Sequence, residues 1–174
     1  MELQIDSSTR YACVGLSREG RTLVEIAWRS ERNHSVELVP AITRAMDQAG
    51  ASIADLGAVF VASGPGGFSA LRVGMSTAKA IAHSSEIPLV TVGTLELELH
   101  PFRDLPHPVC AIMSAGRTRL YVGTLNPDQE DPEIGLQDLD SFLQSLSADT
   151  FYCGEAVAGL ESDIKSRLGS GAML

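Results

Sequence analysis

Three stretches of the 174-residue chain hold residue types that could do chemistry. The first, Asp6-Ser7-Ser8-Thr9, follows an apolar run and offers one carboxylate and three hydroxyls on a turn. The second, Ser63-Gly64-Pro65-Gly66-Gly67-Phe68-Ser69-Ala70, joins a short apolar run to an amphipathic one. Placed between a strand and a helix N-terminus, the backbone N–H groups of Gly64, Gly66 and Gly67 could cradle an anion. The Walker pattern fails, because no Gly-Lys-Ser/Thr follows and Lys79 comes two turns later. The dinucleotide fingerprint lacks its third glycine. A tight turn that lets strand and helix pack closely is therefore the first reading of the loop, and an anion cradle the second. The third stretch, with Asp128, Glu130, Asp131 and Glu133, reads as a solvated acidic loop. The glycine and terminal glutamate of an EF-hand are not at their offsets.

Other catalytic arrangements do not emerge. His34, His83, His100 and His107 show no H-E-x-x-H spacing, and no G-x-S-x-G elbow is present. Cys13, Cys110 and Cys153 are odd in number without a C-x-x-C pair, so they read as core residues of a reducing compartment. The expectation is a chain with no catalytic residues of its own, no metal site and no cofactor.

The elements that must position these residues follow from periodicity. Leu3–Ile5, Tyr11–Leu16 and Thr22–Trp28, separated by polar turns, predict a three-stranded antiparallel meander. Val36 to Ala49 predicts an amphipathic helix closed by Gly50. Ala58–Ala62 and Pro88–Val92 predict strands buried on both faces, flanking a helix from Leu71 to Ser84. This gives an α/β layer built onto the meander. Thr94–Leu99 can be read as a helix or, from its Leu/Glu alternation, as a strand. Farther on, Val109–Met113 and Leu120–Leu125 predict a strand pair, Asn126–Gly135 an acidic loop, Leu139–Leu146 a helix, Thr150–Cys153 a strand and Ala156–Leu168 a last helix.

The helix after the glycine loop carries only Arg72 and Lys79 as charges up to Ser85, while Gly74, Ala78 and Ala82 make a row of small residues at spacing four. Such a row admits the close approach of another helix, from this chain or from a partner.

Composition agrees with a folded domain or two small lobes: 44% of the residues are apolar and 20% charged. The 13 Lys and Arg against 22 Asp and Glu give a net charge of −9, and residues 126 to 164 hold ten of the acids and no base. Such a surface is poor at displacing phosphate counterions, so nucleic acid is expected to be held by a partner. Met1 to Asp6 has neither a basic n-region nor a long apolar one, which predicts a cytoplasmic protein without a membrane span.

At this point the segments Leu3-Gln4-Ile5-Asp6-Ser7-Ser8-Thr9, His34 to Pro40, and Gly64 to Gly74 with Ala78-Lys79 resemble the TsaB (YeaZ) family. Ile87 to Val90, Thr94-Leu95-Glu96 and Arg119-Leu120-Tyr121 continue the resemblance in order. It implies two ribonuclease-H-like lobes of the actin/Hsp70 ATPase type, mixed sheets with an antiparallel meander, and a non-catalytic subunit in making N6-threonylcarbamoyladenosine at position 37 of tRNA. The lobes are expected at 1–98, which would hold the partner-binding helices, and at 99–174, with the second incomplete. Implied partners are a TsaD-like transferase, a TsaE-like ATPase through the complex, tRNA only via the complex, and a second copy when the chain is alone. The resemblance places pairing on the two first-lobe helices, hence on Val39, Ile42, Met46, Leu71, Gly74, Met75, Ala78 and Ala82. The competing reading is an autonomous ATP-binding phosphoryl-transfer or ATPase enzyme of the same superfamily, using Asp6–Thr9 and the glycine loop. Two departures bear on side-chain roles. This chain has Gly67-Phe68-Ser69-Ala70 where the family commonly has Ser-Phe-Thr-Gly, and Ser114-Ala115-Gly116 where it has Asp-Ala-Arg.

Overall fold

The alternation around Leu3 and Ile5 becomes strand β1 (Glu2–Asp6) in a computed structural model of the chain, which describes residues 1–31 and 33–174. Polar turns return the chain as β2 (Tyr11–Arg18) and β3 (Arg21–Arg29), both antiparallel to their neighbours, with Leu3 opposite Leu16 and Ile5 opposite Val14. Helix α1 (His34–Ala49) and helix α2 (Phe68–Ser84) then carry the chain across to β4 (Ala58–Gly64) and β5 (Leu89–Gly93). The β4 strand pairs parallel with β1 and the β5 strand parallel with β4, so the sheet order is β3-β2-β1-β4-β5. Three antiparallel strands extended by two parallel ones, with helical crossovers, is the ribonuclease-H-like arrangement.

Two compact units result, Met1–Thr94 and Leu95–Leu174. The expected division at 98/99 moves to 94/95 because helix α3 (Thr94–Leu99) packs its leucines into the second unit, where Leu95 and Leu99 join Val109, Ala111, Met113 and Leu125. Helical packing also decides the ambiguity of that segment.

In the first unit, both α1 and α2 contribute to one core with Leu3, Ile5, Val14, Leu16, Val59 and Val61. Each fully buried leucine or valine there contributes roughly 1.5–3 kcal/mol relative to exposure. The expectation that Ala58–Ala62 and Pro88–Val92 are buried on both faces is corrected. Val59 and Val61 are buried while Ala58 and Phe60 are only partly so, and β5 is the sheet edge, with Val90 and Thr91 exposed.

The second unit repeats the plan with β6 (Val109–Ser114), β7 (Arg119–Leu125), β8 (Glu133–Asp138) and β9 (Phe151–Cys153) in the order β8-β7-β6-β9. Its pairings are antiparallel, antiparallel and parallel, matching β3-β2-β1-β4. Met173 makes a parallel bridge to Phe151 beside β9, where the first sheet has its fifth strand. Helices α4 (Leu139–Gln144) and α5 (Val157–Leu168) supply Phe142, Leu143 and Ile164 to one face of this sheet. The β8 strand corrects the acidic loop expected through Gly135. All its residues are exposed, so it lacks the buried alternation that marks a strand in sequence. Among the described residues, no helix is long and apolar enough to cross a membrane.

Candidate functional site

Parallel pairing of β1 with β4 puts both strand ends on one side, which brings the Asp6–Thr9 turn against the glycine loop. The Asp6 carboxylate accepts the Ser8 N–H at 2.8 Å and the Ser8 hydroxyl at 2.6 Å, closing an Asx-type turn. The Ser8 carbonyl in turn accepts the Gly67 N–H at 2.9 Å. Gly66 lies so close to that carbonyl that a Cβ would overlap it, and Gly74 likewise abuts the Ser7 hydroxyl. Ser7 donates to the Ala70 carbonyl at 2.8 Å. Gly64 has a positive φ of 109°, and the Gly64–Pro65 peptide is cis.

Buried hydroxyls need partners, and all three in this turn have them. Ser7, Ser8 and Thr9 are 2%, 1% and 9% exposed. Thr9 donates to the Tyr11 carbonyl at 2.9 Å, and the His34 ring meets the Thr9 carbonyl through Nε2 at 3.2 Å. With a carbonyl as its neighbour, Nε2 is the protonated, donating nitrogen. Of the glycines expected to cradle an anion, Gly66 and Gly67 are gathered around the Ser8 carbonyl oxygen, with the Gly67 amide engaged there, while Gly64 lies against the Leu71 side chain. What the geometry does is seat the first turn of α2 on the end of β1. Thr94, buried at the end of β5, has a hydroxyl oxygen with no hydrogen-bond partner among the described residues. It lies in the Thr94-Leu95-Glu96 segment that carries part of the family resemblance.

The two helices of the first unit divide the expected pairing residues between inside and outside. Ile42 and Met46 of α1, with Ala78 and Ala82 of α2, lie in the core, and Gly74 is buried against Ser7 and Ile5. All three residues of the Gly74-Ala78-Ala82 row are buried inside the first unit, Gly74 against the end of β1, so the row packs within this chain, the intramolecular one of the two expected uses. Leu71 and Met75 are half-buried, and Val39 is 55% exposed. Sequence reasoning missed Val36 and Phe68, which are 68% and 75% exposed. Both fall outside the buried stripes of their helices, and that off-stripe position was the available signal. The Arg72 guanidinium lies 5.4 Å from the centre of the Phe68 ring, close enough for a cation–π contact.

Electrostatics elsewhere is local. Glu37 accepts from the Ser30 hydroxyl at 2.5 Å and the Trp28 indole at 3.0 Å, and those bonds, the Ser30 one first, hold its carboxyl below the ordinary range. Burial pushes the thiol of Cys110 up to about 11 and that of Cys153 up to about 12. Cys13 rises to about 11, again mainly through burial, helped by Glu25 and Asp6. A thiol so protonated is a poor nucleophile and a poor metal ligand at neutral pH. Among the described residues, no three His, Cys, Asp or Glu side chains are grouped to hold a metal ion.

Comparison with known proteins supplies what this geometry alone does not. The family model described as "TsaD: tRNA N6-adenosine threonylcarbamoyltransferase" matches residues 27–144. A tRNA threonylcarbamoyladenosine biosynthesis protein TsaB of Bacillus subtilis is 31% identical over 121 residues, covering 70% of this chain and 53% of that protein. A tRNA N6-adenosine threonylcarbamoyltransferase of Halalkalibacterium halodurans is 36% identical over 121 residues, covering 67% of this chain and 32% of that one. The chain therefore spans about half the length of the first relative and a third of the second. Among solved structures, YeaZ from Pseudomonas aeruginosa superimposes with a TM-score of 0.77 at 22% identity, over 92% of this chain and 78% of that one, a likeness of fold.

Proposed function

The chain belongs to the family described as TsaD, tRNA N6-adenosine threonylcarbamoyltransferase, on its TsaB (YeaZ)-like side, and from that premise we propose that it is a non-catalytic subunit in making threonylcarbamoyladenosine at position 37 of tRNA. It pairs with a TsaD-like transferase and activates it in the cytoplasm. A TsaE-like ATPase and the tRNA join through that complex, and without the transferase the chain pairs with a second copy of itself.

The observation that carries this reading is the split of α1 and α2 into inner and outer faces. Their inner faces complete the core, while Val36, Val39 and Phe68 keep large apolar groups in water on the outside. Helix faces of that kind gain free energy when another helix covers them. The non-catalytic part is supported by the Asp6–Thr9 turn and the Gly67 amide, whose polar groups bond one another. The acidic stretch 126–164 supports indirect holding of tRNA.

The test is reconstitution with the transferase of the same cell. The wild-type chain is expected to co-elute with the transferase and raise tRNA modification, and to be inactive by itself. Val36→Glu/Val39→Glu is expected to melt normally, fail to co-elute and fail to activate. Co-elution of that variant at wild-type strength would move the interface elsewhere. ATP hydrolysis by the isolated chain that Asp6→Ala abolishes would overturn the non-catalytic reading.

A further inference from the structure

The second sheet ends on β8, whose outer edge carries no strand among the described residues. Every residue of Glu133–Asp138 is exposed, with Ile134 and Leu136 about half open to water, at 49% and 48%. Their ladder partners on β7 are Gly123 and Tyr121, so both lie on the sheet face that α3 covers. Gly123 shows how closely α3 is seated: a Cβ there would come within 3.2 Å of Leu95 Cβ and 3.3 Å of Leu99 Cδ1. The helix rests directly on β7, and Ile134 and Leu136 remain open beyond it.

An open edge presents N–H and C=O groups in register for another strand, and folded proteins usually blunt such edges with lysine or proline. The β8 strand, Glu-Ile-Gly-Leu-Gln-Asp, contains neither and carries charge only at its two ends, leaving the four residues between them uncharged. Its charge selects the occupant. Acids stand at both ends, Glu133 and Asp138, the latter opposite Arg119 on β7, and the sequence stretch that holds them has ten acids and no base. A cleft of about 210 Å³ at the start of the strand sets Glu96, Glu130 and Asp131 against Arg103 and His100. A second copy fits badly. Antiparallel pairing of two β8 edges sets Glu133 opposite Asp138, and parallel pairing stacks each acid on itself, both destabilising.

We infer that β8 is a strand-addition site for an extended segment of a partner protein, apolar at alternate positions to cover Ile134 and Leu136 and basic at its ends to meet Glu133 and Asp138. Backbone bonds along the edge supply affinity, and the side-chain pattern supplies selectivity. This inference does not depend on the tRNA-modification reading.

The experiment titrates the ¹⁵N-labelled full chain with a capped hexapeptide, Lys-Val-Thr-Val-Thr-Arg. Shifts are expected at the amides of residues 133–138, with slowed hydrogen exchange at alternate amides and weaker binding as salt is added. The same peptide with glutamate at both ends, or with proline at its third position, is expected to bind at least about tenfold more weakly. Ile134→Lys/Leu136→Lys should lose binding equally and keep its melting temperature. The peptide controls decide the matter if that variant melts early. Absence of shifts at 133–138 with millimolar peptide, equal binding of the acid-ended peptide, or self-association that the double variant abolishes would each overturn the proposal.

Discussion

Gly74 and Ser7 are in direct contact, and the Ser7 hydroxyl lies where a side chain at 74 would begin. The same hydroxyl donates to the Ala70 carbonyl one turn earlier on α2. One serine thus holds the helix by a hydrogen bond and by the absence of a side chain. Gly74→Ala is expected to displace Ser7 and destabilise the first unit by about 1–3 kcal/mol, as overpacking does. Urea unfolding measures it. In Ser7→Ala/Gly74→Ala the loss should be less than the sum of the two single losses, since the clash is shared. A wild-type midpoint for Gly74→Ala would show that the contact is slack.

Gly66→Ala should be at least as damaging, because the atom it meets is the Ser8 backbone carbonyl, which cannot rotate away as a hydroxyl can. The measurement is the loss of melting temperature, together with faster exchange of the Gly67 amide as its bond to Ser8 breaks.

Ala78 is fully buried in the first core, so Ala78→Glu places an unpaired carboxylate among apolar side chains. The expected cost is about 3–5 kcal/mol and loss of the first unit's cooperative unfolding. Val39→Glu on the outer face should stay within about 0.5 kcal/mol of wild type. Calorimetry on the two variants separates core from surface, and a normally melting Ala78→Glu protein would contradict the packing described.

Trp28 is the only tryptophan, and its indole donates to Glu37, so its fluorescence should report protonation of that carboxyl. The folded pKa lies below the ordinary 4.5, because the hydrogen bonds from Ser30 and then Trp28 favour the charged form. The associated stabilisation is therefore present above that ordinary value and lost as pH falls through the lower folded one. An acid fluorescence step below the ordinary carboxylate range is expected, and Glu37→Gln should remove it. A step that persists in Glu37→Gln belongs to another group.

Cys110 has its sign reversed. Its thiol rises from 9.0 to about 11 through burial, so the folded protein holds the proton more tightly than the unfolded chain. Its contribution is fully present below 9.0 and lost as pH rises toward about 11. The melting temperature should drop across that window, and less so in Cys110→Ala. In mild alkali, disulfide reagents should label Cys110 slowly in the folded protein and quickly in denaturant.

The meander of β1 to β3 and the strand-helix-strand run from β4 to β5 were legible in the sequence because period-two and period-3.6 patterns are local. A strand with one buried face or a helix with one apolar stripe states its type without reference to distant residues. Phase and placement were not legible in the same way. The Gly74-Ala78-Ala82 row suits a close-packed sheet or a close-packed helix equally well, and only folding set Gly74 on Ser7 and Ile5 and buried Ala78 and Ala82 in the first core. Ala58–Ala62 and Pro88–Val92 looked alike as apolar runs, and sheet order alone made one central and the other an edge. Gly66 and Ser8 meet because β1 and β4 pair in parallel, a relationship between segments far apart in the chain that neither segment encodes alone. The β8 strand carried too weak a pattern to be read, since a strand exposed along its whole length has no buried face to impose one.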